Sequence, residues 1–275
     1  MSLDINRYDV SAMANSSDNC SIICCGSSGS GKSVLIKDLM YQYHMAGVPR
    51  CVVFSGTEIA NGFFSQFVPK LFVHCPASVA GIKAVLDHQK DLYLKRSVGE
   101  IPLDTDLRLL FIADDLAYDR KLINSPTLLE IFNNGRHYGI IFIMSIQYFM
   151  HLSVGMRTNA RLAFFCKENN PNNRKRIFDN FGGAFSSLEL FDSVCCQLTE
   201  EHHVMVIDKR SARNELKSTT FWYKATHNLD FKFGAASFWK HHDRNYLSVE
   251  EEYLHRKRRQ TGEATSGPLR VTRLS

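Results

Sequence analysis

At 275 residues, with 44% hydrophobic and 22% charged side chains, the chain can bury one large core or two small ones, and its composition excludes a disordered or low-complexity protein. The formal net charge of +5 comes from residues 256–275 alone, where Arg256, Lys257, Arg258, Arg259, Arg270 and Arg273 outnumber Glu263; residues 1–255 are balanced. A neutral body excludes nucleic-acid binding through a global field and leaves only local patches for it.

In chain order, residues 1–18 are polar and read as an irregular arm. "CSIICC" (20–25) is a short apolar run ending in glycine. "KSVLIKDLMYQYHMAG" (32–47) reads as a helix closed by Gly47. Strand-like runs follow at 51–56 and 71–75, then an amphipathic helix over 77–97. "LRLLFIADD" (107–115), "GIIFIMSIQ" (139–147) and "ARLAFFCK" (160–167) are further strands. Between the first two of these, "SPTLLEIFNNG" (125–135) has a Ser cap and a Pro in its first turn.

These strands are continuous in apolar residues and do not alternate, as expected of strands buried on both faces. The expected fold class is therefore α/β, with a mostly parallel, doubly wound sheet. Two helices are expected near 172–183 and 185–195, and a β-hairpin from 202–208 and 218–225 extends the sheet. This gives an arm (1–18), a nucleotide-binding domain (19–225) and an extension (226–275), with a helix over 248–260 running into the basic, disordered end.

The cysteines form no C-x-x-C pair and mostly sit in or beside apolar runs, which reads as buried thiols in a reducing compartment. Cys195, Cys196, His202 and His203 fit no common zinc spacing. The start is polar, and the most apolar run (139–150) is too short to cross a membrane and holds Ser145 and Gln147. A soluble, intracellular protein without an integral membrane segment is expected.

"GSSGSGKS" (26–33) matches G-x-x-x-x-G-K-[ST], with a strand before it and a helix after. Gly26, Gly29 and Gly31 let the loop curl with its N–H groups inward, and the following helix adds its positive end. Lys32 places a full charge on the β- and γ-phosphates of ATP, and the Ser33 hydroxyl suits Mg²⁺. The phosphate cradle runs through Gly26, Ser27, Ser28, Gly29, Ser30, Gly31, Lys32, Ser33 and Val34.

The strand over 107–115 ends in Asp114 and Asp115. Asp114 is placed to reach the Mg²⁺ shell opposite Ser33. Asp115 is then the candidate base for the attacking water, unless it is a helix cap or a solvated loop acid; Glu58, after the second strand, is its rival. Gln147, at the tip of an apolar strand, can bond the γ-phosphate or the attacking water, unless it is simply the polar start of a loop. Arg136, in the turn before that strand, can point out of its own subunit and stabilise charge on a neighbour's ATP. Arg157 and Arg161 compete for that role, and a plain surface arginine is the alternative.

The order of parts (phosphate loop, apolar strand ending Asp-Asp, "GRHYGI" turn, strand ending in Gln, then "MRTNARLAFF") resembles the FtsK–HerA branch of P-loop ATPases, within it the poxvirus-like DNA-packaging ATPases of large double-stranded DNA viruses. The likeness spans residues 18–168 and weakens beyond. It implies an additional-strand, RecA-like fold and a homo-oligomeric ring, pentamer or hexamer, that hydrolyses ATP with Mg²⁺ to pump double-stranded DNA into a preformed capsid. By motif match it assigns Lys32 and Ser33 to the phosphate loop, Asp114 to the metal, Asp115 to catalysis, Gln147 to γ-phosphate sensing and Arg136 to the trans finger. Cellular members usually carry Asp-Glu where this chain has Asp114-Asp115. Aspartate is one methylene shorter, so the water must sit closer or Glu58 must help; the viral branch tolerates Asp-Asp.

The resemblance implies work in the host cytoplasm, in a viral factory, or in the virion; the basic end can hold DNA electrostatically, direct import to the nucleus or dock on an acidic capsid, portal or vertex protein, with a merely solubilising tail as the alternative. Candidate DNA contacts are Lys95, Arg96, Arg174, Lys175 and Arg176, each equally readable as part of a solvated face. A cellular-type DNA pump or helicase, a nucleotide kinase and a non-enzymatic scaffold are the other function classes open to this sequence.

Overall fold

The computed structural model describes residues 3–247. The strands are β1 (Ile22–Cys25), β2 (Arg50–Ser55), β3 (Val73–His74), β4 (Leu109–Asp114), β5 (Ile140–Ile146), β6 (Leu162–Phe165), β7 (His203–Asp208) and β8 (Thr220–Lys224). The helices are α1 (Val10–Asn15), α2 (Lys32–Met45), α3 (Glu58–Asn61), α4 (Val79–Ser97), α5 (Arg120–Ile123), α6 (Pro126–Asn134), α7 (Val154–Asn159), α8 (Pro171–Phe181), α9 (Leu188–Leu198), α10 (Leu216–Thr219) and α11 (Ala236–Asn245).

All the strands belong to one sheet, in the order β3-β2-β4-β5-β1-β6-β7-β8. β1 to β6 pair in parallel, and β7 and β8 close the sheet as an antiparallel pair. The apolar runs become strands because both faces are covered, so neither face needs polar side chains. Alternate residues divide between two cores. Leu109, Phe111 and Ala113 of β4 pack on one side with Leu86 of α4, Leu128 and Phe132 of α6, Phe181 of α8 and Phe191 of α9. Leu110 and Ile112 pack on the other with Leu35 and Leu39 of α2, Met13 of α1 and Phe238 of α11. Each such fully buried side chain contributes about 1.5–3 kcal/mol.

Local chemistry starts and stops the helices where the sequence indicates. The Ser125 hydroxyl accepts from the Leu128 N–H and Pro126 occupies the first turn of α6. Gly135 caps the carboxyl end of α6, as the sequence indicates, but not in the left-handed form. Its backbone stays right-handed, the chain runs on through a 3-10 turn over Gly135–Tyr138, and the left-handed residue is Gly139 (φ 67°). The positive φ favours glycine here, and a Cβ at Gly139 would also push against the Tyr93 hydroxyl.

Two segments differ from expectation. The arm is not irregular: Asp9 caps α1 by accepting from the Ala12 N–H, and Tyr8, Val10, Met13 and Ala14 are buried. Residues 6–8 also bond Trp222 of β8, with Trp222 N–H to Asn6 O at 3.1 Å and Tyr8 N–H to Trp222 O at 2.8 Å. Such a short apolar segment is invisible to helical periodicity and forms only because it docks. After β8, the Phe233 N–H donates to Phe67 O and the Phe233 side chain is fully buried, so the chain up to α11 packs on the sheet domain. The helix expected over 248–260 lies outside the described residues.

Candidate active site

The carboxyl ends of β1, β4 and β5 meet at one edge of the parallel sheet, where open α/β sheets bind ligands. β1 runs directly into the glycine-rich loop, and α2 begins at Lys32. Gly29 (φ 75°) and Gly31 (φ 93°) are left-handed. At Gly26 a Cβ would stand 2.5 Å from Ser30 Oγ and 2.6 Å from Cys166 Cβ, so the loop is pressed onto the end of β6. Lys32 Nζ donates to the carbonyls of Gly26 (2.6 Å) and Ser27 (2.7 Å), which holds the ammonium over the loop. Ser27, Ser28, Gly29 and Ser33 are exposed at its mouth.

Asp114 ends β4 beside this loop. In the sheet register it is level with Ser55 of β2 and Ser145 of β5. Both serines are fully buried and both donate to it: Ser145 Oγ to Oδ1 at 2.5 Å and Ser55 Oγ to Oδ2 at 3.0 Å. Burial raises the Asp114 carboxyl above the ordinary aspartate range, and the two hydroxyls oppose that rise.

Asp115 follows in the left-handed region (φ 48°, ψ 44°), which is uncommon for residues with a Cβ, although aspartate enters it more readily than most. Its N–H donates to Ser145 Oγ at 3.2 Å, and its Oδ2 accepts from Gln147 Nε2 at 2.8 Å. The structure thus brings Asp114, Asp115 and Gln147 together next to the phosphate loop. The two serines were not singled out as site residues from sequence. The signal was present, since "FSG" and "MSIQ" each put a serine at the end of an apolar run.

Glu58 is placed differently. It is buried at the start of α3, its Oε2 accepts from the Phe64 N–H (3.0 Å), and its Oε1 accepts from the Ser65 N–H (2.8 Å) and hydroxyl (2.6 Å). A carboxylate with three such donors is committed to shaping the loop after β2, which argues against a role as base.

Arg136 lies at the opposite end of the sheet, before the first residue of β5. β5 puts roughly 20 Å between that end and Gln147. Arg136 is exposed and lines a shallow cavity with Asn133, Asn134, Asn159 and Arg161. Neither Arg136 nor Arg161 forms an ion pair among the described residues. Arg157 donates to Leu152 O at 2.6 Å and is tied to its own loop. Of the basic residues considered for DNA, Arg174 is buried and bonded to Asp192 and to Glu168 O, so it is a structural residue. Lys95 and Lys175 pair with Asp91 and Asp179, and Arg96 bonds Thr105 O. Arg176 is exposed and stands 5.5 Å from the centre of the Tyr148 ring, beside Gln147.

The donor set suits Mg²⁺. That ion takes oxygen ligands and is usually held by one or two protein groups plus substrate phosphates. A Ser33 hydroxyl and the Asp114 carboxylate are such a set, and no cluster of three or more His, Cys, Asp or Glu side chains among the described residues competes with it.

Sheet order, phosphate loop and strand-tip carboxylates define the P-loop NTPase fold with additional strands in its sheet. The fold is similar to that of the genome packaging NTPase B204 from Sulfolobus turreted icosahedral virus 2 in complex with AMPPCP, at TM-score 0.53 and 18% identity over 78% of this chain and 100% of that one. It is also similar to EssC (ATPases 2 and 3) from Geobacillus thermodenitrificans, at TM-score 0.53 and 14% identity over 87% of this chain and 45% of that one.

Residues 7–218 match the Poxvirus A32 protein family, and the chain belongs to that family. The uncharacterized protein L437 of Acanthamoeba polyphaga mimivirus is 32% identical over 228 residues, covering 82% of this chain and 79% of that protein.

Proposed function

We propose that the chain is an ATP-driven motor that moves double-stranded DNA into a preformed viral capsid, working as a homo-oligomeric ring in the infected cell. The observation that carries this reading is a divided site. The phosphate loop, Asp114, Asp115 and Gln147 share one edge of the sheet, whereas Arg136 stands at the other edge, too far to serve its own nucleotide. Head-to-tail packing of identical copies, closing into a ring, would bring the two edges together. Family membership and the packaging NTPase among the structural neighbours support a viral packaging role.

In this reading Lys32 and the loop N–H groups bind the phosphates, and Ser33 and Asp114 hold Mg²⁺, which when bound neutralises charge on the transferred phosphoryl group. Asp115 takes the proton of the attacking water, and Gln147 orients that water or the γ-phosphate. Arg136 of the adjacent copy supplies charge to the transition state. A neutral body fits a motor that must release its track in each cycle, because few phosphate contacts keep affinity modest. The basic residues after 255 are assigned to DNA or to an acidic capsid partner.

The test is ATP turnover with and without duplex DNA, alongside the mass of the oligomer. Turnover raised by duplex DNA in a ring-sized assembly is expected. Phosphate transfer to nucleosides with no response to DNA would replace this reading with a nucleotide kinase.

A further inference from the structure

Three neighbouring strands carry serine, aspartate and serine level with one another at their carboxyl ends: Ser55 and Asp114 are the last residues of β2 and β4, and Ser145 is the last but one of β5. Each serine hydroxyl has one proton, and each gives it to Asp114. Each also accepts a backbone N–H from the loop beyond a strand, but not from equivalent loops. Ser55 Oγ accepts from Thr57, two residues along its own chain, at 3.2 Å. Ser145 Oγ accepts from Asp115, on the next strand over, at 3.2 Å. Ser145 therefore joins the two carboxylate residues through one oxygen, with Gln147 just past the end of the same strand and bonded to the Asp115 side chain.

We infer that Ser145 is a positioning residue for ATP hydrolysis: its single hydroxyl fixes the Asp114 carboxylate and at the same time holds the Asp115 backbone in the left-handed turn that presents the base. Ser55 is the contrasting half of the row, fixing Asp114 alone. The inference rests on the roles given above to Asp114 and Asp115.

Two observations favour a role beyond packing. Asp115 is a non-glycine residue in the left-handed region, a conformation aspartate adopts more readily than most but still at a cost, and among the described residues its N–H finds its partner in Ser145. The carboxylate between the serines is half-buried and the two serines are fully buried, so a lost hydroxyl removes a donor on the inner side of the carboxylate, where water replaces it less readily than at an open surface.

The experiment compares Ser145→Ala, Ser145→Thr and Ser55→Ala in the full chain. Three quantities are read: affinity for a fluorescent ATP analogue with and without Mg²⁺, kcat and KM for ATP, and hydrogen exchange of the Asp115 amide in the ligand-free protein. For Ser145→Ala, Mg²⁺-free affinity should stay within about twofold, and the gain on adding Mg²⁺ should shrink about tenfold. kcat should fall about a hundredfold with KM little changed, and the Asp115 amide should exchange faster. Ser55→Ala should shrink the Mg²⁺ gain to a similar degree and lower kcat, but by about tenfold less than Ser145→Ala, and should keep slow exchange at Asp115. Ser145→Thr, which keeps the hydroxyl, should recover kcat relative to Ala.

Equal effects of the two alanine variants on kcat and on Asp115 exchange would overturn the inference, as would Ser145→Ala with unchanged turnover. If Ser145→Ala does not fold, the Ser145→Thr and Ser55→Ala pair still decides: a Ser55→Ala loss of kcat as deep as that of Asp114→Asn contradicts the division of labour. Absence of ATP turnover in the unaltered chain would instead count against the proposed function, and the Asp115 exchange and Mg²⁺-gain readings would still judge the role of Ser145.

Discussion

The two ends of the parallel strands hold their polar residues in opposite ways. At the carboxyl ends, charge is small in amount and tightly held: Lys32 on loop carbonyls, Asp114 between two buried serines, Asp115 on Ser145 and Gln147. At the amino ends, arginines of two kinds stand close together. Arg210, after β7, is bound into Asp208, Asp18 and Tyr8 and fastens the arm to the sheet. Arg136 and Arg161 have no ion-pair partner among the described residues and face a cavity lined with amides. Strand-end position alone thus does not tell an arginine committed to its own fold from one left uncommitted; the partners do. An arginine that already has its carboxylates has nothing left to offer a second molecule.

Substitutions at each end test that contrast. Lys32→Ala should have the largest effect, lowering hydrolysis by about a thousandfold or more, because it removes the one full positive charge held over the loop. Full activity in that variant would end the phosphate-loop reading. At the other end, Arg136→Ala should lower kcat by about a thousandfold while leaving nucleotide affinity and stability nearly unchanged. If Arg136→Ala is silent, Arg161→Ala takes its place. Asp115→Asn should cost about a hundredfold in kcat. Glu58→Gln should instead change turnover less than about threefold and lower the melting temperature, because its carboxylate serves Phe64 and Ser65.

The smallest effect belongs to the latch. Burial pushes the Asp208 carboxyl up, but hydrogen bonds from Arg210 and Tyr8 prevail and hold it below the ordinary aspartate range. A lowered carboxyl pKa adds stability that is present above the unfolded value, about 3.9, and is lost as pH falls through the folded value. The arm should therefore loosen below about pH 4 and be insensitive to pH near neutrality. Asp208→Asn should lower stability by about 1–3 kcal/mol at pH 7 and flatten that acid dependence, with ATP affinity unchanged. A large loss of turnover in this variant would blur the distinction between the two kinds of arginine.

Much of this was legible in the sequence. The phosphate loop and the doubly wound sheet were, because spacing and buried strands both write themselves into contiguous residues. The meeting of Asp114 with Ser55 and Ser145 was not, since it depends on the register of strands 30 to 60 residues apart. Glu58 looked like a base because position along the chain shows a carboxylate but not its donors. The arm looked irregular because its order comes from docking on Trp222 and from Asp208, far away in sequence.

The central claim is that one complete site takes residues from two copies of the chain, and subunit mixing tests it directly. A Lys32→Ala copy cannot use its own nucleotide but still carries Arg136, and an Arg136→Ala copy keeps an intact loop but lacks the arginine its neighbour needs. Each variant alone should be nearly inactive, and mixing them under conditions that exchange subunits should restore a measurable fraction of ATP turnover. Mixed oligomers, verified by native mass, that stay as inactive as the separate variants at every ratio would contradict the account.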